Sequence, residues 1–113
     1  MLRIFSDSST KEGCFVVEGE DPVIVPYEEA LTNNVGEYKI VIFALEMVKD
    51  RGLEQVSLMT DSLLVVNQVN GQWKCRKKHL LPLRDKVRGL IQNTGAKLTW
   101  ICREENLAGH ILG

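Results

Sequence analysis

Two aspartates in this 113-residue chain stand at the ends of apolar runs. Leu2-Arg3-Ile4-Phe5-Ser6 leads into Asp7, followed by Ser8 and Ser9, and Val56-Ser57-Leu58-Met59-Thr60 leads into Asp61, followed by Ser62. Short runs of this composition read as strands. A carboxylate at the C-terminal end of a strand is where open α/β sheets place ligand chemistry. Two of them at matching strand ends suggest a metal site, because hard divalent cations take oxygen ligands. Each aspartate also has an ordinary use. Asp7-Ser8-Ser9 is turn chemistry, and Asp61 occupies a position where helix N-caps are common.

Both aspartates need elements that bring them side by side. Leu2–Ser6, Gly13–Glu18 and Pro22–Tyr27 read as three strands of an antiparallel meander, the last an edge because of its prolines. A long helix opens at Asn33-Asn34-Val35-Gly36-Glu37, runs to about Arg51 and stops at Gly52. Tyr38, Val41, Ile42, Leu45 and Val48 form its sheet-facing stripe, and Ile40, Phe43, Ala44 and Met47 widen it enough to predict burial on more than one side. Val56–Thr60 is the fourth strand. A short helix over Ser62–Asn70 leads to Gly71, and a second amphipathic helix follows, with Leu80, Leu83, Val87, Leu90 and Ile91 on its apolar face and Pro82 near its first turn. Lys97–Cys102 alternates as a fifth strand, with Trp100 assigned to the core, and Asn106–Leu112 begins a last helix. The long helix serves as a crossover, so strand four can lie parallel to strand one. Asp7 shares the pleat phase of Phe5, and Asp61 that of Met59, so both carboxylates can meet at one edge of the sheet.

The composition is that of an ordinary α/β domain, with 44% hydrophobic and 26% charged residues. A single domain over residues 1–113 is expected, and no apolar run approaches the ~18 residues of a membrane span. Arg3, Ser6 and Asp7 interrupt any leader-like start. Cys14, Cys75 and Cys102 lack metal-ligand spacing and favour free thiols in a reducing, cytoplasmic setting. The net charge of −1 conceals an asymmetry: seven basic residues against Asp85 between Lys74 and Arg88 make that stretch +6 and the remainder −7. A basic protrusion on an acidic body suits a polyanion, although a solvated helix face would look the same.

Five stretches together resemble the type 1 ribonuclease H family in its compact form. They are Phe5-Ser6-Asp7-Ser8-Ser9; Asn33-Asn34-Val35-Gly36-Glu37-Tyr38 with Ala44-Leu45-Glu46; Thr60-Asp61-Ser62-Leu63-Leu64-Val65-Val66; Gln68-Val69-Asn70-Gly71-Gln72-Trp73-Lys74; and Arg103-Glu104-Glu105-Asn106. They span nearly the whole chain in the family's order. The resemblance implies a ribonuclease H-like α/β fold: a five-stranded mixed sheet, three antiparallel strands then two parallel, with helices on both faces. It implies a monomeric endonuclease that cuts the RNA strand of an RNA–DNA hybrid with two Mg2+ or Mn2+ ions, leaving a 5′-phosphate and a 3′-hydroxyl. Two ions about 3.5–4 Å apart can hold the attacking water and the leaving oxygen on opposite sides of one phosphorus.

The same resemblance distributes roles. Asp7 would bridge both metals, and Glu37 and Asp61 would each ligate one. Taken alone, Asn34-x-x-Glu37 reads instead as a capping box. The family's fourth carboxylate, an Asp in the last helix, aligns with His110. An imidazole brings no negative charge and suits transition metals, so a ligating His110 implies Mn2+ preferred over Mg2+ and activity that falls below about pH 6.5. The alternative is a solvent-facing His110 with three carboxylates sufficing. Ser8 stands where Gly is common, and Gly36 where Ala is common. The catalytic-His loop of many relatives is missing, with Arg103 or Glu104 as partial substitutes. Ser8, Asn33, Asn34, Ser62, Gln68, Asn70 and Trp73 would face the hybrid, Asn33 and Asn34 reading its minor groove, and Lys74, Arg76, Lys77 and Lys78 would track phosphates. Two alternatives remain: a binding module whose metal site His110 has weakened, and a nuclease for another structured nucleic acid.

Overall fold

The computed structural model describes all residues, Met1–Gly113. The elements run β1 (Leu2–Ser8), β2 (Glu12–Val17), β3 (Val23–Pro26), α1 (Asn33–Arg51), β4 (Val56–Thr60), α2 (Leu63–Val69), α3 (Leu81–Thr94), β5 (Lys97–Trp100) and, after a 3-10 turn at Arg103–Glu105, α4 (Leu107–Leu112). One five-stranded sheet holds them in the order β3-β2-β1-β4-β5. β1–β2 and β2–β3 are antiparallel, while β1–β4 and β4–β5 are parallel. The meander, the edge position of β3 and the parallel return through α1 all follow the sequence pattern.

The sheet has a core on each face. Ile4, Phe15, Val17 and Leu58 pack with α1, α2 and α3, whose Val41, Leu45, Val65 and Val87 are buried with them. On the opposite face Phe5, Cys14 and Val16 meet Ala108 of α4. Alternate pleat phases of β1 thus feed different layers, as the twofold period of a strand requires. Helices cover both faces.

α1 is buried between the sheet and α3, through Ile40, Val41, Ala44, Leu45 and Val48. The expected wide apolar stripe is correct for Ile40 and Ala44 but not for Phe43, which is 42% exposed. Phe43 lies over a groove of about 500 Å3 shared with Val23, Val25 and Met47. The edge strand β3 is only 4 residues long and leaves that side of α1 uncovered. Gly52 ends α1 in the left-handed region at φ 64° and returns its N–H to Lys49 and Val48 carbonyls, the close that its position predicts.

Trp100 departs most from expectation: it is 47% exposed rather than in the core. Leu98 carries the buried face of β5, and the chain turns into Arg103–Glu105 soon after, so no helix covers Trp100. Its indole N–H instead donates to the Asp61 carbonyl at 3.2 Å.

Beneath the sheet the Tyr38 hydroxyl, in a fully buried side chain, donates to Gln68 Oε1 at 2.7 Å and ties α1 to α2. Arg88 adds a clamp, donating to the Val69 and Gln68 carbonyls at the C-terminal end of α2, where a cation is favoured. Tyr38→Phe leaves the Gln68 oxygen buried without its donor. It should lower unfolding free energy by about 1–3 kcal/mol in denaturant titration, without altering the helix content of the native state.

Candidate metal centre

The parallel pairing of β1 with β4 sets Phe5 opposite Met59 and Ser6 opposite Thr60. The next residues along the chain, Asp7 in β1 and Asp61 just past β4, therefore lie level with one another, one strand spacing of about 4.8 Å apart. Glu37 arrives from α1, which crosses back over the sheet. Carboxylate oxygens of Asp7, Glu37 and Asp61 all lie within 4.8 Å of one another.

Each of these carboxylates is spared the structural use that its sequence context offered. Asp7 is no turn residue: β1 continues through Ser8, and Asp7 pairs with Cys14 of β2. Glu37 closes no capping box with Asn34. Thr32 is the N-cap of α1, accepting from the Val35 N–H, so Glu37 sits one position past the helix's first turn. Asp61 does not cap α2 either; Ser62 does, accepting from the Val65 N–H at 3.3 Å. Free of these bonds, all three acids turn toward a common point.

Crowding shows in their electrostatics. Glu37 is only 9% exposed, and burial, then the charges of Asp7 and Asp61, push its carboxyl up to about 9. Asp7 is also raised, by burial first and then by Asp61. A bond to the Ser8 backbone, a bond shared with Glu37 and the charge of Arg103 oppose that shift. Glu37 Oε2 is buried without a hydrogen-bond partner. An orphaned acid oxygen beside two more carboxylates fits a hard divalent cation, which would supply the missing positive charge.

Asn106 organises this corner, a role that its sequence context does not reveal. Its side chain is fully buried, and its Nδ2 donates to the Ser6 carbonyl at 2.9 Å and to Asp61 Oδ2 at 3.2 Å. Its Oδ1 accepts from the Ala108 N–H, making it the N-cap of α4. One amide thus holds the end of β1, a metal-site carboxylate and the start of the last helix. An Asn before a short helix reads as a cap, and nothing in the sequence signals its second partner.

His110 lies outside the three-carboxylate group. Its ring Nε2 is 2.7 Å from the Glu104 carbonyl, so that nitrogen carries the proton and donates. Gly109 beside it does face the site: a Cβ there would lie 3.6 Å from Asp7 Oδ2.

The expected substrate residues separate by exposure. Asn33 and Asn34 are exposed at the start of α1, and Asn70 is exposed after α2. Trp73 is 47% exposed. Cys75 is only 8% exposed and anchors its loop in the core, while Lys74, Arg76, Lys77 and Lys78 on either side face solvent. Gln68 faces the core instead, 6% exposed and bound to Tyr38. It sits on the buried stripe of α2, which its short polar context hides. The Ser62 hydroxyl is engaged as a cap, and the Ser8 hydroxyl bonds to Ser9 and Tyr27.

Comparison with known proteins agrees with this geometry. The family model described as reverse transcriptase-like matches residues 9–113. A ribonuclease HI of Halobacterium salinarum is 35% identical over 80 residues, covering 71% of this chain and 38% of that protein. A bifunctional protein of Mycobacterium tuberculosis is 34% identical over 76 residues, covering 66% of this chain and 21% of its own length. The chain thus matches about a fifth to two fifths of the length of these relatives. Among solved structures, the ribonuclease H1 of Halobacterium salinarum superposes with a TM-score of 0.85 at 25% identity, over 98% of this chain and 92% of that one. LC11 ribonuclease H1, crystallised with an RNA/DNA hybrid, superposes with a TM-score of 0.83 at 23% identity, over 99% and 93%.

The raised Glu37 carboxyl fixes a pH dependence. The folded protein holds that proton after the unfolded chain has released it, so this contribution to stability is complete below about 4.5 and is lost as pH rises toward about 9. Metal-free protein should lose denaturant resistance across that window, and Glu37→Gln should flatten the loss. Mn2+ should restore stability at pH 8 in the parent and not in Glu37→Gln, as followed by chemical denaturation with and without chelator.

Proposed function

Because the chain belongs to the reverse transcriptase-like family of ribonuclease H-type domains, we propose that it cleaves the RNA strand of RNA–DNA hybrids by metal-dependent hydrolysis. The observation that carries the proposal is the convergence of Asp7, Glu37 and Asp61 within 4.8 Å at the ends of two parallel strands and one helix. The likeness to the Halobacterium salinarum ribonuclease HI supports the substrate class.

Asp7, Glu37 and Asp61 would hold the divalent ions, which when bound supply Lewis-acid stabilisation of the phosphate and activation of the attacking water. The chain's own part is placement. Asn106 fixes the rotamer of Asp61 through Oδ2, and the strand register fixes Asp7 beside it. Arg103 is exposed and its charge reaches Asp7, so it is the cation available at the mouth of the site where relatives place a loop histidine. Asn33 and Asn34 would meet the minor groove, where a 2′-hydroxyl both donates and accepts. Trp73 would offer an apolar face to the sugars of the DNA strand, and Trp100 adds a second exposed aromatic beside Asp61. Lys74, Arg76, Lys77 and Lys78 would follow phosphates without reading sequence. His110 would set metal preference by joining the three acids as a ligand when the ions bind, since an imidazole ligand favours Mn2+ over Mg2+.

A labelled hybrid tests this directly. Asp7→Asn should reduce cleavage by well over the ~10–100-fold that loss of an outer-shell partner costs. Mn2+ should support faster cleavage than Mg2+, and His110→Ala should remove that difference. Hybrid binding without metal-dependent cutting by the parent chain would select the binding-module reading, and equal cutting of duplex DNA or duplex RNA would select a broader nuclease. Independently, replacing Lys74, Arg76, Lys77 and Lys78 with Gln should weaken hybrid binding and flatten its salt dependence, the log–log slope falling by roughly 0.7–0.9 for each phosphate no longer neutralised.

A further inference from the structure

Tyr27 lies one residue beyond β3, and its backbone N–H donates to the Lys11 carbonyl at 2.9 Å. Its half-buried ring reaches into the gap between β1 and α1. There the hydroxyl sits 2.8 Å from Ser8 Oγ and 3.2 Å from the Gly36 carbonyl oxygen. Ser8 Oγ is also 2.8 Å from the Ser9 carbonyl. Two hydroxyl protons serve three contacts, and the link from Ser8 to Gly36 is complete when Ser8 donates to Tyr27 and Tyr27 donates to the Gly36 carbonyl, the Ser9 carbonyl then going without the Ser8 proton.

The partners are not arbitrary positions. Ser8 follows Asp7, and Gly36 precedes Glu37. Room for the hydroxyls is made by removing side chains. A Cβ at Gly36 would lie 2.4 Å from Ser8 Oγ, and a Cβ at Gly13 would lie 2.6 Å from the Tyr27 hydroxyl. Gly13 stands opposite Ser8 in the β1–β2 ladder. Ser8 and Gly36 thus form a matched pair, the hydroxyl of one filling the space that a methyl on the other would take.

We infer that Tyr27 is a positioning residue for the metal centre, joining the Ser8 hydroxyl after Asp7 to the Gly36 carbonyl before Glu37. Its hydroxyl helps to fix the separation of two segments whose carboxylates must converge. Glu37 crowds against Asp7 with an oxygen that has no partner, so the ligand geometry depends on what anchors the backbone behind each acid. The inference rests on the metal-site reading of Asp7, Glu37 and Asp61.

Calorimetric titration of the whole chain with Mn2+ alone, without substrate, tests it. The parent should bind, and Asp7→Asn should not. Tyr27→Phe removes one oxygen and keeps the ring. It should weaken Mn2+ binding by about tenfold, the lower end of what supporting partners contribute. Gly36→Ala should weaken binding as well, and adding Ser8→Gly to it should relieve the clash yet leave a loss no smaller than that of Tyr27→Phe, because the bridging hydroxyl goes with the side chain. Val48→Ala, in the core at the far end of α1, is the control for stability: with a melting temperature lowered at least as far as in Tyr27→Phe, it should keep the parent's Mn2+ affinity. Parent-like Mn2+ affinity in Tyr27→Phe overturns the inference while leaving the metal site standing. Equal weakening in Val48→Ala overturns it too, by reducing the effect to lost stability. A parent chain that binds Mn2+ no better than Asp7→Asn overturns the metal-site reading, and this inference with it.

Discussion

Three acid side chains within 4.8 Å of one another are an unfavourable arrangement for a folded chain. Two like charges a few ångströms apart repel by about 4 kcal/mol at the effective dielectric of a protein surface, and burial adds to that. The structure relieves part of the repulsion by keeping a proton on Glu37, whose carboxyl is held at about 9. A proton is a partial remedy, because it leaves Glu37 Oε2 without a partner. Divalent cations would complete the neutralisation. The rest of the molecule is an apparatus for holding these acids together until that charge arrives.

That apparatus works by giving the caps to other residues. Thr32 and Ser62 close the starts of α1 and α2, so Glu37 and Asp61 are not drawn into helix ends. Asn106 closes α4 and uses its remaining amide donor on Asp61 and the Ser6 carbonyl. A fully buried amide with three partners has little freedom to rearrange. The acids are held largely through backbone and neighbours, and Glu37 Oε2 is left without a partner and available to a ligand. Exposed contacts elsewhere, such as Arg51 with Glu20, are screened by solvent and contribute little to this.

The meander, the crossover and the meeting of Asp7 with Asp61 are legible in the sequence, because each depends on a local pattern. An apolar run ending in Asp fixes a strand end, and pleat phase fixes the face. Glu37 is legible only through the family resemblance, since its local context imitates a capping box. The misreadings share a different cause. Periodicity assigns Trp100 and Phe43 to the core, yet it reports which face a residue occupies and not whether another element covers that face. β3 is too short to shield Phe43, and the chain turns away before shielding Trp100. Gln68 fails in the opposite sense. A polar type suggests a surface role, and only the position of the Tyr38 hydroxyl, 30 residues earlier, explains its burial. Asn106 shows the same limit, for its partner in Ser6 is 100 residues away.

The departures from the family pattern also become intelligible once they are placed in space. Ser8 for Gly and Gly36 for Ala look like two unrelated losses when read along the chain. In the fold they are one exchange across a gap too narrow for both a hydroxyl and a methyl. What the exchange adds is a hydrogen-bonding group where a glycine would have none, and Tyr27 is the residue placed to use it. His110 stands apart from this compensation. Its Nε2 proton is engaged by the Glu104 carbonyl, and it stands outside the group of Asp7, Glu37 and Asp61. A site built on three acids that repel one another depends on how well those acids are pre-arranged.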